Sequence, residues 1–89
     1  MKIKKGFIVR QIAGQNVAIA IGEMSKKFHG MIKLNDTGLF IWDLLQNDTT
    51  EEAIVDAVTA EYEVDVETAA ADVRRILGAL KDAGIVEEN

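Results

Sequence analysis

The sequence predicts a small α+β domain in which an N-terminal three-stranded antiparallel sheet is followed by three helices. Glycines recur every eight residues from Gly6 to Gly38, a spacing that suits strands of about five to seven residues separated by turns. From Asn35 onward the apolar residues instead follow the helical period of 3.6 residues. Residues 1–89 are expected to form one domain, because domains usually contain about 100 to 150 residues.

The strands are predicted from their β-branched and aromatic residues. Residues 7–12 and 17–21 form the first two strands, and residues 13–16 form the hairpin turn between them. A third strand is predicted over residues 30–34, reaching back to Phe28 at most. The hairpin makes the sheet antiparallel.

The second predicted strand has two unequal faces. Val17, Ile19 and Ile21 share one face, and Ala18 and Ala20 share the other. We expect the larger side chains to pack on the core. The alanine face is then expected to lie open or to admit something close.

Three capping patterns mark the helix starts. Asn35 or Asp36 can cap the first helix by accepting backbone N–H groups. A capping box that pairs the Thr49 hydroxyl with the Glu52 carboxylate begins the second helix. Asp65 caps the third helix. These positions divide the C-terminal part of the chain into three helical segments.

The third predicted helix has a wide apolar stripe and ends at Gly84, which suits a left-handed C′ position. On a helical wheel the stripe extends along one flank, through Ala69, Ile76, Ala79 and Ala83, with Asp72 and Arg75 at its edge. Such width indicates either additional core or a groove. The large residues expected in the core are Leu34, Trp42, Leu45, Val58, Tyr62, Val73 and Leu77.

The composition excludes several kinds of chemistry. The absence of cysteine excludes disulfides, thiolate nucleophiles and cysteine-based metal sites, and it fits a cytoplasmic protein. Ser25 and His29 have nothing to orient them as a nucleophile and base. The alternating acids of residues 61–67 lack the EF-hand pattern, and no phosphate-binding glycine loop occurs. We therefore expect no enzyme activity, cofactor or metal, and the lack of long apolar runs predicts no membrane partner.

Charge is segregated along the chain. Residues 1–34 contain seven basic residues and one acid, a net charge of +6, whereas residues 35–89 contain three basic residues and fourteen acids, a net charge of -11. The division fits a basic sheet beside an acidic helical layer, or two surfaces that steer a polar partner. A winged-helix regulator that binds DNA is the alternative function, but acidic helices are poorly suited to phosphates. Nucleic acid is therefore not the expected partner.

Several sequence blocks together resemble the PqqD family, small peptide chaperones first named for pyrroloquinoline quinone biosynthesis. The specific part is the segment from Leu34-Asn35 to Trp42, followed by Tyr62-Glu63-Val64-Asp65. The resemblance covers nearly the whole chain. It implies a winged-helix-like recognition element for ribosomally synthesised precursor peptides in natural product biosynthesis.

The resemblance also implies a binding site. In this family a leader peptide adds as an antiparallel strand to the edge of the third strand and packs against the third helix. On this sequence the edge comprises Phe28, His29, Gly30, Met31, Ile32, Lys33 and Leu34, and the helix wall comprises Ala69, Asp72, Arg75, Ile76, Ala79 and Ala83. Lys33 and Arg75 then either meet acidic side chains of the leader or remain solvated surface charges.

The expected function is that of a non-catalytic adaptor that presents a leader peptide to a modifying enzyme. The resemblance implies a radical S-adenosylmethionine protein or a leader peptidase as that enzyme. An unpaired strand edge that accepts a peptide can also accept a second copy of the chain, so a homodimer is a further expectation.

Overall fold

The computed structural model describes residues 1–88, in which the three predicted strands and three predicted helices follow one another in the predicted order. The strands are β1 Lys2–Ile3, β2 Phe7–Ile12, β3 Gln15–Ala20, β4 Ile32–Leu34 and β5 Val86–Glu87. The helices are α1 Asp36–Leu44, α2 Glu51–Tyr62 and α3 Val66–Asp82, with a short 3-10 helix at Gly22–Lys26. The predicted α+β class, with a three-stranded antiparallel sheet and three helices, is confirmed. No helix among the described residues is both long and apolar enough to cross a bilayer.

The three-stranded sheet has the order β2-β3-β4, with both neighbouring pairs antiparallel. The β2–β3 hairpin turns through Ala13 and Gly14, whose φ values are 52° and 78°. Two successive left-handed residues define a type I′ turn, which matches the twist of the flanking strands. Gly14 adopts this conformation without steric cost.

The predicted orientation of the sheet is wrong. Ala18 is fully buried in the core, and Ala20 packs against it, together with Phe7 and Val9 of β2. The opposite face carries Val17 and Ile19, neither of which belongs to the core cluster, although Val17 is only 3% exposed. Helices can approach a sheet closely over alanines, so the small face is the inner one.

The third strand begins later than predicted. β4 starts at Ile32, whereas the expected edge began at Phe28. The Phe28 N–H donates to the Met24 carbonyl at 2.9 Å, and its ring packs edge-on against Phe7 with centroids 5.2 Å apart. Because Phe28 is held by the turn and the core, the chain up to Met31 forms no ladder.

A two-stranded sheet of β1 and β5 was not predicted. Lys2 lies opposite Glu87 and Ile3 opposite Val86. The Ile3 N–H also donates to the Leu45 carbonyl at 2.9 Å. Strands of two residues show no alternation in the sequence, so period alone does not reveal them.

The helix caps confirm two predictions and correct one. The Gly38 N–H donates to Asn35 Oδ1 at 2.8 Å, and the Thr68 N–H donates to Asp65 Oδ1 at 2.7 Å. Hydrogen bonds from Thr68 lower the pKa of Asp65. The predicted capping box at Thr49 is wrong, because Thr50 caps α2 by accepting from the Ala53 N–H at 3.1 Å.

The end of α3 has the predicted form. Gly84 has a φ of 76°. The Ile85 N–H donates to the Leu80 carbonyl and the Gly84 N–H to the Lys81 carbonyl, both at 2.9 Å. These two bonds form a Schellman motif, with Ile85 supplying the apolar contact.

Most of the predicted core is confirmed, with one exception at the end of α2. Tyr62 is 38% exposed, and its ring packs edge-on against Phe40 with centroids 5.6 Å apart. As the last residue of α2, it lies at the rim of the core. The predicted core residues that are buried are Leu34, Trp42, Leu45, Val58, Val73 and Leu77.

Replacing the cap of α1 gives a test of the fold. We expect Asn35→Ala to lower the free energy of unfolding by about 1 kcal/mol, because the Gly38 N–H loses its acceptor. Urea denaturation measures the change. Asn35→Asp keeps an acceptor oxygen and should retain most of the stability. An equal loss in both variants would show that the cap bond is not the cause.

Candidate functional site

The hydrogen-bonding pattern of β3 follows from one bond at the end of the hairpin. The Ile21 N–H donates to the Gly6 carbonyl at 2.8 Å. In an antiparallel pair, bonded and non-bonded residue pairs alternate. Ile19 and Val17 therefore bond toward β2, and Ala18 points its N–H and C=O toward β4. The two-residue turn closed by the pair at 12 and 15 gives the same alternation.

The same alternation identifies the backbone N–H and C=O groups of β4 that do not bond to β3. Ile32 pairs with Ala18 as a bonded pair, whereas Lys33 lies opposite Val17 in a non-bonded pair. The backbone N–H and C=O of Lys33 therefore point away from β3, toward the open edge of the sheet. An added strand can bond to these groups.

A groove of about 100 Å³ separates this edge from α3. Leu34, Ile76 and Leu80 are buried and form its apolar floor. Ala79 is exposed on the α3 side. The full lining is Ile32, Lys33, Leu34, Arg75, Ile76, Ala79 and Leu80. We refer to this site as the β4–α3 groove.

The charges of the groove are both positive. Lys33 and Arg75 are exposed, and neither takes part in an ion pair within residues 1–88. The opposite flank of α3 differs, because Lys81 Nζ contacts Glu88 Oε1 at 2.9 Å. This hydrogen bond raises the pKa of Lys81 and lowers that of Glu88. The groove therefore presents two cations without partners, while the other flank of α3 has an internal ion pair.

Some of the predicted helix-wall residues lie outside the groove. Ala69 is 0% exposed and does not line the groove, so its side chain is not accessible to a ligand in this structure. Asp72 and Ala83 are half-buried and do not line the cavity. Leu80 was not predicted as a site residue, although its position four residues after Ile76 places it on the same side of α3.

The remaining predicted edge residues precede β4. His29, Gly30 and Met31 are exposed and belong to no strand. Phe28 is half-buried against Phe7. These residues lead into β4 but do not line the groove.

Other surface depressions are more open and more polar. A depression of about 410 Å³ begins beside Lys33 and Leu34 and continues to the hairpin turn at Gly14. Two more, of about 520 and 510 Å³, lie near Met1 and Lys4, away from β4. The first of these three depressions shares residues with the groove and extends it along the edge of the sheet.

The arrangement is suited to binding an extended segment. Within residues 1–88 no three His, Asp or Glu side chains are placed to hold a metal ion. The Ser25 hydroxyl donates to the Gly22 carbonyl at 2.6 Å. What the groove offers is a main-chain donor and acceptor, apolar side chains and two cations.

Comparison with known proteins identifies similar folds. This chain is similar to TbiB1 in complex with the TbiA(beta) leader peptide, with a TM-score of 0.75 and 31% identity over 100% of this chain and 98% of that one. The fold also matches a lasso peptide synthetase B1 complexed with the leader peptide, with a TM-score of 0.72 and 23% identity over 98% and 96% of the chains. A comparison with curated proteins finds no match.

The family resemblance noted in the sequence is confirmed. Residues 24–86 match the family described as coenzyme PQQ synthesis protein D, PqqD. The match includes β4, all three helices and therefore every residue of the β4–α3 groove. The chain belongs to the PqqD family.

Proposed function

We propose that this domain binds the leader of a ribosomally synthesised precursor peptide as an added strand on β4. The observation that carries the proposal is the free edge at Lys33, which lies directly beside an apolar groove. Main-chain bonds fix an added strand, and side-chain pockets select it. The likeness to TbiB1, whose structure contains a leader peptide, supports this ligand class.

The groove selects one apolar side chain of the peptide. Its volume is about 100 Å³, and an engineered apolar cavity of about 150 Å³ is known to hold benzene. Alternate side chains of an added strand point to the same side of the sheet. One aliphatic residue of the leader therefore anchors in the groove and fixes the register of the strand.

The charges favour an acidic leader. Lys33 and Arg75 both border the groove and have no acidic partner within residues 1–88. Carboxylates next to the anchoring residue can pair with them, and such rim contacts mainly raise association rate and specificity. A leader with an aliphatic residue flanked by Asp or Glu matches the site.

The domain acts as an adaptor and performs no reaction itself. A tethered peptide reaches the enzyme at a high effective concentration, which increases modification without any new contact at the reacting residues. The enzyme is a radical S-adenosylmethionine protein or a leader peptidase. The net charge of -11 on residues 35–89 disfavours the alternative of a DNA-binding regulator.

An amide-resolved NMR titration tests the proposal. The labelled domain is titrated with a synthetic leader from the short open reading frame nearest its gene, and a scrambled peptide of the same composition is the control. We expect shifts at residues 32–34 and 75–80. The absence of shifts at about 100 μM leader would contradict the proposal, since this concentration saturates complexes of micromolar affinity.

The salt dependence of the affinity distinguishes DNA binding from strand addition. Protein–DNA affinity falls by about 10³ to 10⁵ between 50 and 200 mM salt when six to ten phosphates are contacted. Strand addition should change far less. Binding to duplex DNA with the steep salt dependence would favour the regulator.

A further inference from the structure

We propose that the modifying enzyme docks on the outer face of the three-stranded sheet. The surface of the enzyme that docks there is apolar and carries carboxylates. The identity of this partner rests on the proposed function. The outer face is the side of β2, β3 and β4 that is turned away from the helices. It consists of Ile8, Arg10, Ile12, Gln15, Val17, Ile19 and Lys33.

Four of the seven outer-face residues are aliphatic, whereas the solvent side of an antiparallel sheet is usually polar. Ile8 lies directly opposite Ile19. Ile12 is 47% exposed, and at the margins of the face Ile21 is 38% and Met31 61% exposed. The core cluster contains residues of the other face and none of these, although Val17 is itself only 3% exposed. Ile8 and Ile19 are half-buried. Apolar side chains left exposed or half-buried on the solvent side of a sheet are typical of interaction sites.

The charges on this face are all positive. Arg10, Val17 and Lys33 form one row across the three strands. β2, β3 and β4 contain no acidic residue, and within residues 1–88 Arg10 has no ion pair. Carboxylates on a partner would complement this row.

The charges also argue against a second copy of the chain as the occupant. A two-fold symmetric contact places the same surface on both partners. Two outer faces would then bring Arg10 and Lys33 of each copy together without any acid between them. Like charges at an interface disfavour the contact.

The outer face is continuous with the β4–α3 groove, because Lys33 belongs to both. A peptide strand added at Lys33 would place every second side chain on the outer side of the sheet. The face would then consist of the domain and the peptide together. An enzyme that docks there contacts both, so peptide binding and enzyme docking use adjacent surfaces.

Three variants test this docking surface. Arg10→Glu reverses a charge and Ile19→Thr removes apolar surface while keeping a β-branched residue; neither lies in the groove. Gln11→Glu is the matched control, because Gln11 is exposed on the opposite side of the same strand. Each variant is titrated with the leader. Each is then titrated, both alone and as a leader complex, with the purified peptidase or radical S-adenosylmethionine enzyme encoded beside its gene.

We expect Arg10→Glu and Ile19→Thr to weaken enzyme binding at least about tenfold, with leader affinity within about twofold of the original. Gln11→Glu should bind both partners normally. Unchanged enzyme binding in both outer-face variants, or no enzyme binding by the original domain, would overturn the inference. Binding to phosphatidylserine vesicles that Arg10→Glu abolishes, without enzyme binding, would assign the face to a membrane and also overturn it.

The two proposals fail in different ways. If the leader does not bind but the enzyme binds through Arg10 and Ile19, the proposed function is wrong and the docking face remains. If the leader binds and the outer-face variants bind enzyme normally, only the docking inference is wrong.

Discussion

Ala79→Arg should reduce leader affinity at least about tenfold without unfolding the domain. Ala79 is exposed and lines the β4–α3 groove, so a long side chain there occupies the space of the anchoring residue. Its positive charge alone would favour an acidic leader, so a loss of affinity reports the blocked space in the groove. Arginine has nearly the helix propensity of alanine, so α3 should be preserved. Calorimetry measures the affinity and thermal unfolding measures the stability.

Gly78→Arg is the matched control for this substitution. A Cβ at Gly78 meets no atom within 4 Å, and the position is turned about 100° around α3 from Ala79. Leader affinity should be unchanged. Equal losses in both variants, with both folded, would mean that the groove is misplaced. Ile76 is a less suitable position, because it is only 7% exposed and an acid there would disrupt the core.

Lys33→Pro should abolish strand addition while the domain stays folded. The Lys33 N–H faces the open edge, so proline removes a donor that the β3–β4 ladder does not use. We expect leader affinity to fall at least about tenfold. An NMR spectrum of the free variant reports the fold, and calorimetry with the leader reports the loss.

Two further substitutions distinguish the contribution of the Lys33 backbone to leader binding from that of its side chain. Lys33→Ala keeps the N–H and removes only the cation, so it should cost less affinity than proline. Ile32→Pro removes a donor that bonds to Ala18, so it should lower the melting temperature instead. If Lys33→Pro and Lys33→Ala bind the leader equally, the peptide does not bond to this backbone.

The strand bounds illustrate what the sequence can predict. Residues 7–12 form β2 as predicted, because Gly6 and Gly14 mark the turns and the residues between them favour strands. The alternation in β3 shows two different faces but does not say which one the helices cover. Side-chain size suggested Ile19, whereas close helix packing selects Ala18.

The groove residues on α3 could also be predicted only in part from the periodicity of the sequence. A helical wheel places Ile76 and Ala79 on one flank of α3, and both line the groove. The wheel gives an angle around the helix but not which turn lies beside β4. Ala69 shares that flank, yet it is buried in the core. The length of β4 also depends on the tertiary contact between Phe28 and Phe7, which no local pattern contains.

The shortness of β4 limits how tightly its edge alone can hold a peptide. Only Lys33 among its three residues directs an N–H and a C=O outward. Two net hydrogen bonds contribute about 1 to 3 kcal/mol, whereas micromolar affinity requires about 8 kcal/mol. The groove and its charges must therefore supply most of the binding energy.

The division of the binding energy between the β4 edge and the groove affects the residence time of the peptide. A micromolar complex that forms at about 10⁶ M⁻¹ s⁻¹ dissociates in about one second. Typical enzymes turn over about ten times per second. An adaptor with such kinetics would deliver a peptide, release it after modification and be free for the next, so a small amount of it would serve many precursor molecules.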